Sequence, residues 1–273
     1  MSAQYAFFRL IPLCAAALLL GACGQKTESG VQAPGAPATA KTKALDAGAA
    51  ALQNKAPIGA LNAYLDGFHF YSGKQNMQME AHHYCANVNE DVIQCVIYDG
   101  NVKDAKLMGV EYIIAEKLFR ALPAAEKALW HSHVHEVKSG QLIAPGIPEP
   151  AEKELMKKLV GTYGKTWHTW HTDLHKQLPL GVPQLMMGFT ADGQADPAMV
   201  AARDRRFGVD SAKNKAERAD LPAPRIDSEA NGGQQGQPFQ IADPTGAQHA
   251  HEASAAKQDA VPANDVNAKS TGR

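Results

Sequence analysis

The chain has 273 residues, of which 45% are hydrophobic and 20% charged, and its formal net charge at pH 7 is −1. These values are typical of a globular protein with one or two domains, and they argue against a bulk electrostatic preference for nucleic acid or anionic lipid. An Ala/Thr/Gly/Pro-rich start and a Gln/Asn/Ala/Gly-rich end bury too little apolar surface to fold. The foldable part is therefore about 150 residues long, which is enough for one core.

The N-terminus has the pattern of an exported lipoprotein, with a signal peptide over residues 1–22. Its apolar run from Leu10 to Leu20 is shorter than the roughly 20 residues that span a membrane, but it is typical of a secretory signal. The run ends in Leu20-Gly21-Ala22-Cys23, which resembles the bacterial lipobox; an ordinary signal peptide cut nearby is the alternative. The resemblance implies lipid on Cys23. Because Gly24 follows rather than Asp, it also implies an outer-membrane anchor facing the periplasm.

Residues 23–56 show no usable hydrophobic period and are predicted to form a flexible tether. Beyond them, the patterns predict a single α+β domain over residues 57–210, with a mostly antiparallel sheet and a few short helices. Residues 211–273 are predicted to be a mostly irregular or disordered tail. The predicted elements are, in chain order, a helix at 57–66, strands at 67–73, 77–87, 92–98 and 106–114, helices at 115–122 and 123–130, a strand at 134–143, a helix at 151–160, strands at 163–173 and 184–190, and a helix at 196–207.

Two cysteines lie on neighbouring predicted strands. If the intervening loop is centred on Glu90, Cys85 sits opposite Cys95, and an oxidising compartment permits a disulfide between them. The alternative is a pair of small buried thiols, which is a common role of cysteine. The sequence leaves both open because the register of a strand pair cannot be fixed from it.

Several unusual segments occur in a specific order between about residues 64 and 189. They are GFHFYSG (67–73), EAHHYC (80–85), QCVIYD (94–99), LMGVEYI (107–113), LWHSH (129–133), EVKSG (136–140), YGK (163–165) and LPLG (178–181). In these segments the chain resembles the oil body-associated protein family, known from plant seeds and also found in bacteria and fungi. The resemblance implies association with lipid bodies, as in plants, and supplies no established catalytic residue. The lipobox, the tether, the long tail and His135, where an aromatic residue is expected, depart from the plant pattern.

Three histidines, His131, His133 and His135, form an H-x-H-x-H pattern. On a strand, alternate side chains share one face, so the three imidazoles would converge, with Glu136 facing away. Such a triad predicts a site for a divalent transition metal such as Zn, Cu, Ni or Fe. At a helix end or a turn the side chains would diverge, and the three would be ordinary hydrogen-bonded histidines.

The neighbouring His82 and His83 would face opposite sides of a strand, with Glu80 on the side of His82. Further along, the pattern groups His171 with Asp173, either as a general base or as an ordinary polar pair. Motifs of serine hydrolases, zinc proteases, P-loop enzymes and dinucleotide-binding enzymes are missing from the sequence.

The sequence thus favours a membrane-anchored lipoprotein with a non-catalytic role, in which it binds or organises a lipid or another envelope component. A histidine-based metalloprotein, acting as a hydrolase or an oxidoreductase, is the alternative. Aromatic and methionine residues either line a pocket for an apolar ligand or fill the core, which is their commoner role. They are Phe68, Phe70, Tyr71, Met186, Met187 and Phe189.

Overall fold

A computed structural model describes residues 26–233 and 238–244. The predicted signal peptide, Cys23 and most of the predicted tail therefore lie outside the described residues. Among the helices that are described, none has the length and hydropathy that crossing a membrane requires.

The described chain forms seven strands and eight helices. The strands are β1 (Ala63–Tyr71), β2 (Lys74–Asn87), β3 (Val92–Tyr98), β4 (Leu107–Ala115), β5 (His131–Ser132), β6 (Thr162–His168) and β7 (Gln184–Met187). The helices are α1 (Ala40–Leu52), α2 (Ala56–Gly59), α3 (Glu116–Arg120), α4 (Ala124–Lys127), α5 (Val134–Lys138), α6 (Glu149–Leu159), α7 (Pro197–Phe207) and α8 (Ser211–Glu217).

All seven strands belong to one antiparallel sheet with the order β4-β3-β2-β1-β7-β6-β5. Strand β4 pairs with β6 as well as with β3, so six strands form a closed ring and β5 adds to β6. The predicted single domain with a mostly antiparallel sheet and short helices is confirmed. The closure was not predicted, because the strands that it joins are far apart in the sequence.

Alternation along β3 separates the inside of the ring from the outside. In β3, Ile93, Cys95 and Ile97 are buried while Gln94 is exposed. The inner cysteine contributes to a core cluster that also contains Met156 of α6. The outer face of β2 is covered by α7, so His82 is also fully buried.

Cys85 and Cys95 lie directly opposite each other in the pairing of β2 with β3, and their sulfur atoms form a disulfide. The register is the one that a loop centred on Glu90 gives. In the next pair of strands, Cys95 lies opposite Glu111 of β4. The disulfide and this carboxylate therefore belong to one row across the sheet.

The predicted strand over residues 134–143 is wrong, because Val134–Lys138 form helix α5. The amide of Val137 donates to the carbonyl of His133 at 3.0 Å, and the Val137 side chain is fully buried. Packing in the core thus outweighs the weak β-preference of valine. Gly140, with a φ of 78°, follows the helix in the left-handed conformation that glycine adopts easily.

Two of the other predicted elements extend well past the observed ones. The predicted helix at 57–66 is limited to α2, because the chain is already extended in β1 from Ala63. The predicted strand at 163–173 ends at His168, where the amide of Thr169 donates to the carbonyl of Met108 at 2.6 Å and the chain leaves the ladder.

The predicted tether contains regular structure. Helix α1 buries none of its residues, and the side chain of Thr39 caps its first turn by accepting from the amide of Thr42. Alanine-rich sequence forms helix through intrinsic propensity, without the apolar stripe that a periodicity search detects. Nearer the N-terminus, the amide of Thr27 donates to the side chain of Asn101 at 2.7 Å, so this part of the segment is held on the domain.

The folded part also extends beyond residue 210, where the tail was predicted to begin. The buried guanidinium of Arg218, which follows α8, donates to the carbonyls of Val137 and Leu142 at 3.1 and 2.8 Å. Asn231 accepts from the amide of Ser132 in β5 at 3.0 Å. Because these contacts are polar and lie in irregular segments, the hydrophobic pattern of the sequence does not predict them.

Candidate metal centre

Histidine and carboxylate side chains from several elements meet inside the closed sheet. All of them are buried, and we call this set the His–Glu cluster. Its members are His69 (β1), His83 (β2), Glu111 (β4), His131 (β5), His133 (immediately before α5), Glu136 (α5) and His168 (β6).

The alternation of strands explains how separate segments reach the same interior. In β2, His83 and Cys85 share the inner face while His82 points outward. In β4, Glu111 lies opposite the inward-facing Cys95. Strand β5 is only two residues long, but its pairing with β6 sets His131 opposite Gly164.

Glu111 is the centre of the cluster. Its Oε2 lies 3.0 Å from Nε2 of His83. Its Oε1 lies 3.2 Å from Nε2 of His133 and 3.5 Å from Nε2 of His131. One buried carboxylate is thus approached by the Nε2 atoms of three histidines.

Neighbouring groups determine which nitrogen of two of these imidazoles carries the proton. Nδ1 of His133 lies 2.8 Å from the hydroxyl of Thr162, which itself donates to the carbonyl of Leu159 at 2.7 Å. That hydroxyl must accept from His133, because its only proton is already used. Nδ1 of His83 likewise donates to the carbonyl of Ala81 at 3.1 Å, since a carbonyl oxygen only accepts.

In its neutral form, each of these two imidazoles therefore directs the Nε2 lone pair at the Glu111 carboxylate. A lone pair facing a carboxylate oxygen at about 3 Å is repulsive unless a cation lies between them, either a proton or a metal ion. Histidine ligands of metals usually show this arrangement, in which the distal nitrogen donates to a protein oxygen and fixes the ring.

Other atoms of the cluster have no hydrogen bond within the described part of the chain. They are both ring nitrogens of His131, Oε1 of Glu136 and Nδ1 of His168. A buried polar atom without a partner costs free energy, on the order of 1–3 kcal/mol, and is rare in folded proteins. A metal ion bound between Nε2 of His131 and Oε1 of Glu136, which lie 3.5 Å apart, would satisfy these two atoms.

Two glycines make room for the carboxylates. A Cβ on Gly164 would lie 2.0 Å from Oε1 of Glu111 and 2.7 Å from Nε2 of His133. A Cβ on Gly188 would lie 1.8 Å from Oε1 of Glu136. Any side chain at these positions would occupy the space in which the ligand atoms converge.

Burial controls the protonation of several histidines in the cluster. It lowers the pKa of His131 and of His168 to about 3, and it lowers the pKa of His69 well below its ordinary value. These imidazoles are therefore neutral near pH 7, which is the form that binds metals.

The pKa values of the two carboxylates, Glu111 and Glu136, are shifted in opposite directions. Burial alone would raise the pKa of Glu111, but hydrogen bonds with His133 and His83 hold it well below its ordinary value. Burial opposes protonation of His133 as well, but the hydrogen bond with Glu111 raises the pKa of His133 above its ordinary value. Burial raises the pKa of Glu136 to about 7. Without a metal, Glu111 and His133 thus form a buried ion pair.

A cavity of about 10 Å³ adjoins the cluster. This volume is close to the minimum that holds one water molecule, and it excludes an acyl chain. The cavity is lined by Leu65, His83, Glu111, Ile113, His133, Glu136, Leu142 and Leu159. The aromatic and methionine residues that were considered for a lipid pocket pack in two core clusters instead.

The structure brings His131 and His133 together with Glu111 but does not bring His135 to the same place. Because α5 begins at Val134, the helical period places Glu136 on the side of His133 and turns His135 away. Burial lowers the pKa of His135, and the charges that act on this imidazole are those of Asp192, which raises the pKa, and Lys215, which lowers it. The structure therefore has the alternative geometry, in which a helix begins after His133, His135 diverges from the other two histidines, and Glu136 lies on the side of His133.

Sequence reasoning missed His69, Glu111 and His168 as members of the cluster. The available signal was the alternation of side chains between the two faces of a strand. Each of these residues lies on a strand, and each would be placed on the inner face once the strand register is known. The predicted grouping of His171 with Asp173 fails for a related reason, because β6 ends before both. The hydroxyl of Tyr71 donates to Asp173 at 2.7 Å, and Nε2 of His171 lies 2.9 Å from the carbonyl of Val182.

A second group of possible ligands lies on the outer face of the neighbouring strands β1 and β2. Asp66, Glu80 and His82 bring ligand atoms within 4.8 Å of one another. Arg203 contacts Asp66 at 2.7 Å, and Arg206 pairs with Glu80. Two guanidinium groups already neutralise these carboxylates, so we interpret this group as a buried ion-pair network that holds α7 on the sheet.

Fold and cluster define a single-domain protein in which a closed antiparallel sheet surrounds a buried carboxylate and several histidines. Residues 55–222 match the model of a family described as "Protein of unknown function (DUF1264)". The chain belongs to this family of oil body-associated proteins.

Several plant proteins are similar to the chain. It is 42% identical to Oil body-associated protein 1B of Arabidopsis thaliana over 217 residues. This alignment covers 79% of this chain and 90% of the relative. It is 43% identical to Oil body-associated protein 1A of Zea mays over 194 residues. This second alignment covers 71% of this chain and 82% of the relative. No solved structure matches the chain.

Proposed function

We propose that the domain is a metal-binding protein that holds a divalent transition metal at Glu111. The observation that carries this proposal is the orientation of His83 and His133, whose Nδ1 atoms donate to protein oxygens while their Nε2 atoms face one buried carboxylate. Two such arrangements at the same carboxylate favour a metal site over a chance contact of core histidines.

The distances fit this proposal. Zn²⁺ binds imidazole nitrogen and carboxylate oxygen at about 2.0–2.2 Å, so two ligands in tetrahedral geometry lie about 3.3 Å apart. The separations between Glu111 and the three imidazoles range from 3.0 to 3.5 Å. An ion would therefore enter with little movement of the backbone. Nitrogen and carboxylate donors suit Zn, Cu, Ni, Fe and Mn.

The test is the metal content of the full chain, purified in detergent without a metal-binding affinity tag. After loading with Zn, Cu, Ni or Fe and removal of free ions, we expect at least one ion per chain by mass spectrometry. The double variant His131→Ala, His133→Ala should lose at least one of the ions that the parent chain holds. His135→Ala is the matched control from the same motif and should retain the metal. If neither the parent chain nor the control holds metal, the proposal is wrong.

We also propose that lipid on Cys23 anchors the domain to the outer membrane, where the domain faces the periplasm. The support is the sequence that ends in Leu20-Gly21-Ala22-Cys23 after an apolar run. Replacing Cys23 with serine should move the protein from the membrane fraction to the soluble fraction. A Cys23→Ser protein that stays in the membrane fraction would contradict a lipid anchor at this residue.

A second candidate function is contact of the domain itself with a lipid surface, since its relatives carry the name oil body-associated. Leu178 and Leu180 lie in the connection between β6 and β7, and 48% of each side chain is exposed. We expect Leu178→Glu, Leu180→Glu to reduce flotation with liposomes in a Cys23→Ser background. Ile147→Glu is the control, because Ile147 is equally exposed at 46%. Equal flotation of both variants would contradict this role of the loop.

A further inference from the structure

We propose that the His–Glu cluster holds two metal ions, and that the carboxylate of Glu111 bridges them. This inference rests on the proposed metal binding and adds the number of ions and the role of the carboxylate.

The two oxygens of Glu111 face different histidines. Oε2 lies 3.0 Å from His83, whereas Oε1 lies 3.2 Å from His133 and 3.5 Å from His131. The potential ligands accordingly form two triads, each with its ligand atoms within 4.8 Å of one another. The first triad is His69, His83 and Glu111, and the second is Glu111, His131 and His133. Glu111 is common to both, as a bridging carboxylate must be.

Each triad has a further potential ligand on its own side. Nε2 of His168 lies 3.4 Å from Nδ1 of His69 in the first triad. Oε1 of Glu136 lies 3.5 Å from Nε2 of His131 in the second. Oε1 of Glu136 makes no hydrogen bond within the described part of the chain, although the residue is buried, whereas His168 reaches the first triad through its Nε2 atom. A single ion at one oxygen of Glu111 would leave one of these two residues without a metal ion to bind.

Steric features agree with two ions. Paired metal sites in proteins have ions about 3.5–4 Å apart, a distance that one carboxylate spans with its two oxygens. Gly164 and Gly188 remove the Cβ atoms that would otherwise overlap Glu111 and Glu136.

The first experiment uses the full chain in detergent and Mn²⁺ alone as the probe. The protein is loaded, free Mn²⁺ is removed, and the metal per chain is measured by mass spectrometry. We expect two ions per chain. One ion per chain would overturn the bridged pair and leave the proposed metal binding intact, whereas no ion with Mn²⁺, Zn²⁺, Fe²⁺, Ni²⁺ or Cu²⁺ would overturn both.

The second experiment assigns the ions to their triads. His69→Ala, His83→Ala and His131→Ala, His133→Ala should each reduce the content from two ions to one, and His135→Ala should retain two. Circular dichroism and thermal unfolding identify any variant that fails to fold. If both folded double variants lose all metal, or if both retain two ions, the assignment to two triads is wrong.

The bridge itself has a spectroscopic readout that requires no variant. Two Mn²⁺ ions joined by a carboxylate are magnetically coupled, so the electron paramagnetic resonance spectrum should differ from the six-line spectrum of an isolated Mn²⁺ ion. A six-line spectrum from protein that holds two ions per chain would show that the ions are separate and that Glu111 does not bridge them.

Discussion

At the scale of single residues, Gly164 occupies one of the most crowded positions in the interior. A Cβ there would lie 2.0 Å from Oε1 of Glu111, so Gly164→Ala must displace the carboxylate or the backbone of β6. We expect this variant to lose metal and to unfold with a free energy lower by about 1–3 kcal/mol. Gly161→Ala is the matched control, because its Cβ would meet Pro224 at an ordinary 3.6 Å. Unchanged metal content and stability of Gly164→Ala would contradict the crowded geometry.

Asp66 and Arg203 provide a second prediction at this scale. Both side chains are fully buried, and Nη1 of Arg203 lies 2.7 Å from Oδ1 of Asp66. Arg203→Met leaves a buried carboxylate without this partner, so we expect the free energy of unfolding to fall by about 3–5 kcal/mol. Urea unfolding measures this change. Arg205→Met on the solvent-exposed side of α7 is the control, and it should change the stability by less than about 0.5 kcal/mol.

The same carboxylate gives a pH dependence. Burial alone would raise the pKa of Asp66, but the hydrogen bond with His82 and the charge of Arg203 hold it below its ordinary value. The ionised form therefore stabilises the fold at every pH above the ordinary pKa of about 4, and this stabilisation disappears as the pH falls through the lower folded value. The stability difference between wild type and Asp66→Asn should narrow in urea unfolding as the pH falls below about 4. A constant difference from pH 7 to pH 3 would contradict the lowered pKa.

At the scale of elements, the disulfide joins two neighbouring strands of the closed sheet. Cys85 and Cys95 are separated by 10 positions in the sequence. Closing a loop of this size stabilises the fold by about 3 kcal/mol in the chain-entropy model. We expect Cys85→Ala, Cys95→Ala to lower the free energy of unfolding by this amount, and a dithiol reductant to lower it in the parent protein alone. If the reductant destabilises the double variant equally, the effect does not come from this bond.

Elements also differ in how well their sequences predict them. Strand β3 has the predicted bounds, because its alternation is regular and turn residues precede it. Helix α5 could not be predicted, since its five residues include two valines and its stability comes from burying Val137. For the same reason the three histidines of the motif do not all lie together. His131 and His133 meet Glu111, but a helix that begins at Val134 removes His135 and adds Glu136.

At the scale of the whole molecule, the interior site depends on segments that pair over long distances in the sequence. The pairing of β4 with β6 brings Glu111 to the histidines that follow α4, and periodicity within either strand does not specify this pairing. The sequence therefore predicted the class of fold and one local motif, whereas the cluster itself emerges only after closure of the sheet. His69 and His168 illustrate this, since they are far apart in sequence and 3.4 Å apart in space.

The segment after residue 210 is also part of this closed structure. Asn231 accepts from the amide of Ser132 at 3.0 Å and donates its own amide to the carbonyl of Trp130 at 2.8 Å, so it holds both sides of His131. Its φ is 58°, a left-handed conformation that asparagine tolerates better than most residues. We expect Asn231→Ala to lower the free energy of unfolding by about 1–3 kcal/mol, because a buried amide loses its acceptor and the strain increases.

A chain that ends at residue 210 should show a larger effect than this substitution. It also loses the hydrogen bonds of Arg218 with the carbonyls of Val137 and Leu142, on either side of the turn that follows α5. We expect it to hold less metal and to unfold at a lower temperature than a chain that ends at residue 244, which keeps the described contacts. Equal metal content and equal thermal unfolding of the two truncated chains would mean that residues 211–244 are an accessory to the domain. The predicted loss of metal and of thermal stability would instead show that these residues position β5 and, through it, His131 and His133.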